Sequence, residues 1–446
     1  MQKLKRLLQK RRLKKIDQAP TQIPTGTPPR SSSPPTVCLS TLEGLPFEIR
    51  NGILLAIDTI ADLSALVHAS PTFHQQYLLD RASLLWNCLQ LELGNVLLDA
   101  YIADQCNMPE FRVKRSRQKV LLFIEEYKAQ RLAVTEILSK PPEEHDTILD
   151  IATFHTTVVS PLVNHYVAWT RETMEGLSSP QETSKPERRR IFRGLYRSQI
   201  FYNLFGPPRG AISFMGKFGS TERLELFLNE YTAWEIEELL CIDRFMHSKY
   251  LGVFWQIQWD LHPDNPLFDP VRTGPHTPPG AYRLINDYPR GYQNGIISRG
   301  LQVASTLFEL QDHSKKVEVV AHEIVSVVDD LLFDSTNPHL QEDRRMNHHS
   351  DSDLAQDNRE TMSFSGDDED SPPLAWVTFW KGRYSNLFGD FLPRSLRQWG
   401  YIMWDRNRLV NADALALIEQ EWKTYYHRVN DEGEPEDPRD DIMTYT

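Results

Sequence analysis

The chain has 446 residues, 40% of them hydrophobic and 10% aromatic, with ten tryptophans and a formal net charge of −12. That is length and apolar content for two or three domains with real cores. It excludes a membrane span, because no window approaches the ~18 consecutive apolar residues one needs, and the basic first 16 residues lack the apolar stretch of a secretory signal.

The charge is unevenly placed. Residues 1–20 hold eight Lys/Arg against Asp17, residues 334–371 hold eleven Asp/Glu against three Arg, and the last 16 residues hold seven acids against Arg439. A uniformly acidic surface for steering a basic substrate is therefore not implied. The cysteines, Cys38, Cys88, Cys106 and Cys241, form no C-x-x-C pair, which points to free thiols in a reducing compartment rather than a disulfide scaffold or a zinc site.

Residues 1–41 read as disordered, a basic run followed by a Pro/Ser-rich linker. Within the run, Lys10, Arg11, Arg12, Lys14 and Lys15 suit a nuclear import signal; a solvated charge run, a nucleic-acid patch or an amphipathic mitochondrial presequence would use the same residues. The expected location is the nucleus, the cytoplasm or both.

From Leu42 the pattern turns helical. Pro46 stands where a first helical residue would be, Glu48 opposes the helix dipole, and Ile49, Ile53 and Ile57 recur at helical spacing. Asp62 opens a second short helix with Leu63, Leu66 and Val67 inward. Ser70-Pro71 reads as an N-cap with proline in the first turn of a third helix carrying Phe73, Tyr77, Leu84 and Leu85. The run Ile53–Ile57 is apolar on every side, more than so small a module can bury alone. The later helices must cover the remainder, or a partner must.

Leu45-Pro46, Glu48-Ile49, Ile53-Leu54, Asp62-Leu63 and Leu66 together resemble the core signature of the F-box family. The stretches 65–81, 196–206 and 396–409 look similar to F-box-like proteins of filamentous fungi. The family usually has a small polar or Cys/Lys-rich turn before a Trp or Phe, where this chain has Ser70-Pro71-Thr72-Phe73. The resemblance implies that residues 42–92 form an F-box-like trihelix that inserts into the Skp adaptor of an SCF-type ubiquitin ligase. Leu45, Pro46, Ile49, Ile53, Leu54, Ile57, Leu63, Leu66 and Phe73 would then be the residues facing the adaptor or supporting that face. The body, including 196–206 and 396–409, would bind an unknown client protein. The alternative is a non-ligase helical scaffold in which 42–92 simply begins one continuous domain.

Residues 93–333 read as an α-helical body, with helices expected at Ile148–Met174, Ser220–Met246, Ile296–Gln311 and Val317–Phe333 and a long loop across 260–300. Residues 334–373 are polar and acidic and are expected to be a disordered insertion. The aromatic-rich segment 374–430 should pack back on the body, and 431–446 form an acidic tail. Period-2 alternation is weak throughout and no 20–50-residue repeat occurs, so the fold class is mainly α.

Chemistry-bearing patterns fall short of their templates. His322-Glu323 lacks the second zincin histidine, since Ser326 stands there. Gly210–Lys217 has one residue too many between its glycines for a phosphate loop, and Phe218 replaces the magnesium-binding hydroxyl. No G-x-S-x-G elbow occurs. His348-His349 reads as surface histidine, and two isolated Trp-Asp dipeptides (259–260, 404–405) make no propeller. No catalytic residue, metal or cofactor is expected, and neither a membrane nor nucleic acid is an expected partner.

Overall fold

Side-chain caps set where the helices begin. Thr59 accepts from the Asp62 amide at 3.1 Å to start Ile60–Ala69, and Ser70 accepts from the Phe73 amide at 3.3 Å to start Pro71–Leu79. Ser184 with Glu187, Thr232 with Glu235 and Ser350 with Asp353 form reciprocal capping boxes, each satisfying amide donors that a helix leaves unpaired at its start. The structure is a computed structural model describing residues 42–113, 115–174, 182–208, 210–285, 291–426, 433 and 436–443. Residues 1–45 and 46–446 are separate units. Of the first, only a turn at 42–45 is described, in which the Leu45 amide donates to Leu42 at 3.3 Å. The basic run Lys10–Lys15 lies outside the described residues.

The protein is mainly α. Among the described residues its strands are one short parallel pair, Ser213–Phe214 beside Ser326–Val327. No described helix is long and apolar enough to cross a membrane.

At the centre lies Lys185–Phe205, buried continuously from Arg190 to Phe205 and packed on Val96–Asn107 and Ala233–Ile257. Gly194 sits at the second crossing, where a Cβ would come within 2.8 Å of the Ile242 side chain and 3.1 Å of the Glu238 carbonyl oxygen. The central helix carries cations into the core, and each is answered. Arg190 meets Asp405 at 2.9 Å, Arg193 takes Glu238 with two bonds of 2.7 and 2.6 Å, and Arg197 bridges Asp99 at 2.9 Å and Glu235 at 2.8 Å. Burial opposes charge on Glu235, but Arg197 and Arg193 hold it well below the usual carboxylate range.

Residues 145–173 run as one rod with a π-turn at His155–Val159 between His145–Phe154 and Ser160–Thr173. Pro161 explains it. Proline has no amide to give the Thr157 carbonyl and would crowd it, and the wider turn, closed by Ser160 N–H donating to His155, relieves the ladder just before.

Four expected helices differ. Ser220–Met246 breaks after Leu226 and resumes at Ala233, behind the Thr232 cap, to run on to Ile257. Val317–Phe333 ends at Glu323, because the stretch after it, rich in β-branched Ile324, Val325 and Val327, leaves the helix and Ser326–Val327 pairs with Ser213–Phe214. Ile296–Gln311 is split by Gly300 at φ 91°, where the Gln199 side chain accepts from the Leu301 amide at 2.7 Å. The third N-terminal helix stops at Leu79. Asp80 leaves helical geometry, and a fourth helix, Arg81–Leu93, takes over Leu84 and Leu85.

The largest correction concerns 334–373, expected to be disordered. It contains helices Pro338–Asn347 and Asp351–Asp357, with Gln341, Arg345, Asp353 and Gln356 buried. Net charge misled because three of the acids, Asp353, Asp357 and Glu369, are counter-charges to arginines. Arg344 pairs with Asp353 and Arg345 with Asp357 inside the segment. Glu369 meets Arg189 at 3.2 Å, while the carbonyls of Asp367 and Glu369 accept from Arg190 and Arg193. The acidic tail folds in part too: Pro438–Met443 is helical and Arg439 lies buried over the Trp380 ring.

The Asp353 carboxyl is a pH probe of this segment. Burial disfavours its charge, yet hydrogen bonds from Arg344 and Ser350 bring it down to about 2 from an ordinary 3.8. A depressed pKa contributes stability above the unfolded value and loses it as pH falls through the folded one. The stability difference between wild type and Asp353→Asn, read from urea midpoints, should be full above about pH 4 and close towards pH 2. A difference independent of pH over that window would contradict this account.

Candidate docking surface

The Pro46 carbonyl accepts from the amides of Ile49 and Arg50, both at 3.1 Å, and so begins the helix Phe47–Ala56. Its inner side is tied down by its own chain. Leu54 is fully buried, and Ile53 and Ile57 pack on the core. Arg50 donates to the Gln76 side chain at 2.9 Å, and Gln76 donates back to the Phe47 carbonyl at 2.9 Å. Asn87 caps the far end by donating to Leu55 at 2.7 Å.

The outer side holds Glu48, Ile49, Gly52, Leu55 and Ala56, all exposed. Glu48 is its only charge. Ile49 is 53% exposed and Phe47 at the helix start 49%, and Leu78 and Leu79 at the end of the third helix are open as well. A Cβ built at Gly52 meets nothing within 4 Å, so the face is flat and uncovered there.

The nine expected partner-facing residues therefore divide. Leu54, Leu63 and Phe73 are core, Ile53, Ile57 and Leu66 are half-buried supports, Pro46 and Ile49 face outward, and Leu45 lies in the separate 42–45 turn. Phe47, Leu78 and Leu79 were missed; the available signal was an apolar residue beside each helix end. The two stretches expected to meet a client lie largely inside the protein. Residues 196–206 are buried throughout, and in 396–409 Arg406 and Asn407 are the exposed residues. Their aromatics make core.

Two polar clusters lie in the body. Beside a cleft of about 990 Å³, His155 is fully buried, with Nδ1 2.9 Å from the Tyr196 hydroxyl and Nε2 3.2 Å from Glu92. Glu92 also accepts from the Ile60 amide at 3.0 Å. Burial pushes its carboxyl up, but His155 and that amide leave it net below its ordinary value. Ser160 Oγ lies 3.4 Å from Nε2, the same nitrogen that meets Glu92. A nucleophile relay needs acid and serine on opposite ring nitrogens, so this cluster joins the N-terminal helices to the body and relays nothing.

In the second cluster, Asp243 and His247 project from one turn of Ala233–Ile257 towards Asp330. His247 Nε2 lies 3.6 Å from Asp243 and 3.4 Å from Asp330. Tyr202 donates to Asp243 at 3.2 Å. Burial raises the Asp243 carboxyl to about 6, against the pull of His247. The sequence motifs fared differently. His322 is exposed, and Gly210–Lys217, expected to be a turn, carries the short strand Ser213–Phe214. His349 pairs with Asp357 at 3.0 Å.

No family model, curated protein or solved structure matches this chain.

Proposed function

We propose that this chain is a protein-interaction adaptor that docks through the outer face of Phe47–Ala56 onto the Skp adaptor of an SCF-type ubiquitin ligase and recruits a client protein to it. The observation carrying this reading is an apolar helix face left outward although the opposite face is fully satisfied by its own chain. Exposed apolar side chains grouped on one short helix suit a helix that buries them against a partner. The Lys10–Lys15 run would take such an adaptor to the nucleus.

A second reading has its own support. Trp86 donates to the Leu138 carbonyl at 3.3 Å, and Glu92 reaches His155, so the N-terminal helices share a core with the body. In that case they open a non-ligase helical scaffold.

The two part in a pull-down with the Skp adaptor. Ile49→Asp with Leu55→Asp places two charges on the outer face, and capture should fall ~30-fold or more while the circular dichroism spectrum stays that of wild type. Equal capture by mutant and wild type would remove this face from the interface, and no capture by either would leave the scaffold.

A further inference from the structure

We infer that Asp243, His247 and Asp330 form a binding site for one divalent cation of the zinc class. The donors converge from distant parts of the chain. Asp243 and His247 are four residues apart on one helix face, and Asp330 arrives from the segment after Ser326–Val327. All three ligand atoms lie within 4.8 Å of one another. Their spacing is compatible with ligation. The imidazole–carboxylate distances of 3.4 and 3.6 Å exceed the ~2.7–3.2 Å of an ordinary hydrogen bond. They match the edge of a tetrahedron whose N and O ligands sit ~2.0–2.2 Å from its centre, about 3.4 Å.

His247 is nine-tenths buried, and its Nε2 lies within ion-pair reach of both carboxylates. The shell around the donors is built. The Tyr202 hydroxyl orients Asp243, and Gln293 donates to the His247 carbonyl at 2.5 Å, fixing the helix turn that carries the ring. Asp330 is the most open of the three, so an ion would enter from its side. One imidazole with two carboxylates is a donor set for zinc; magnesium and calcium favour all-oxygen shells. Bound there, the ion would clasp residues 326–330 to the Ala233–Ile257 helix.

The test uses the full chain, stripped with a chelator and titrated with Zn²⁺ against a chromogenic competitor. About one tight equivalent is expected, with an X-ray absorption shell of nitrogen and oxygen including one imidazole. His247→Gln and Asp330→Asn should each weaken it by ~100-fold or more, beyond the 10–100-fold that loss of a supporting residue costs. Mg²⁺ and Ca²⁺ should not compete. Should His247→Gln fail to fold, Asp330→Asn decides. Absence of a stoichiometric site, a sulfur ligand, or Zn²⁺ affinity unchanged in Asp330→Asn would each overturn the inference and leave an imidazolium held between two carboxylates.

Discussion

Glu237→Ala should cost about 3–5 kcal/mol of stability, the usual cost of leaving one partner of a buried ion pair alone. Glu237 is fully buried and takes two bonds of 2.8 Å from Arg397, one of 2.8 Å from the Gly389 amide and one of 3.2 Å from the Tyr401 hydroxyl. Removing it strands a guanidinium, an amide and a hydroxyl in the core together. These bonds clamp residues 389–401 to the Ala233–Ile257 helix, so proteolysis should open that segment first in the variant. Arg117–Glu222 is the control, a solvent-facing pair whose loss should shift the midpoint far less. Denaturant midpoints check both, and equal losses would mean that burial is not what gives the Glu237 pair its weight.

Phe73→Ala should cost a further distinct ~3–5 kcal/mol as a large buried aromatic, whereas Ile49→Ala should stay within ~0.5 kcal/mol. Phe73 is 1% exposed and Ile49 53%. In adaptor capture the order reverses if the outer face docks. Ile49→Ala should weaken it without unfolding the chain, and Phe73→Ala should weaken it only in step with lost structure. Thermal melts beside the pull-down separate the two. A Phe73→Ala protein of native stability would show the side chain is not core.

Those two residues mark the limit of what could be read beforehand. Both carry apolar side chains in helical patterns, and both belong to the same F-box-like resemblance. Nothing local distinguishes a side chain that meets the body from one that meets water. The stripe Ile49, Ile53, Ile57 runs from exposed to half-buried because the helix rests on its neighbours at its far end, where Leu54 is sealed and Asn87 holds Leu55. The metal-ligand cluster was invisible for a related reason. Asp243 and His247 have helical spacing, but Asp330 joins them only after the chain has crossed a strand pair.

By itself the sequence determined the mainly helical class and the cap at Ser70-Pro71, since helical periodicity and capping act between residues a few positions apart. Only the tertiary structure decided that 334–373 folds, that 196–206 and 396–409 are core, and which apolar residues of 46–73 remain outside. Composition counted the acids of 334–373 as repelling one another. Folding sets Asp353 against Arg344, Asp357 against Arg345 and Glu369 against Arg189 of the central helix. Charges compensate by distance in space, and sequence order does not encode that distance.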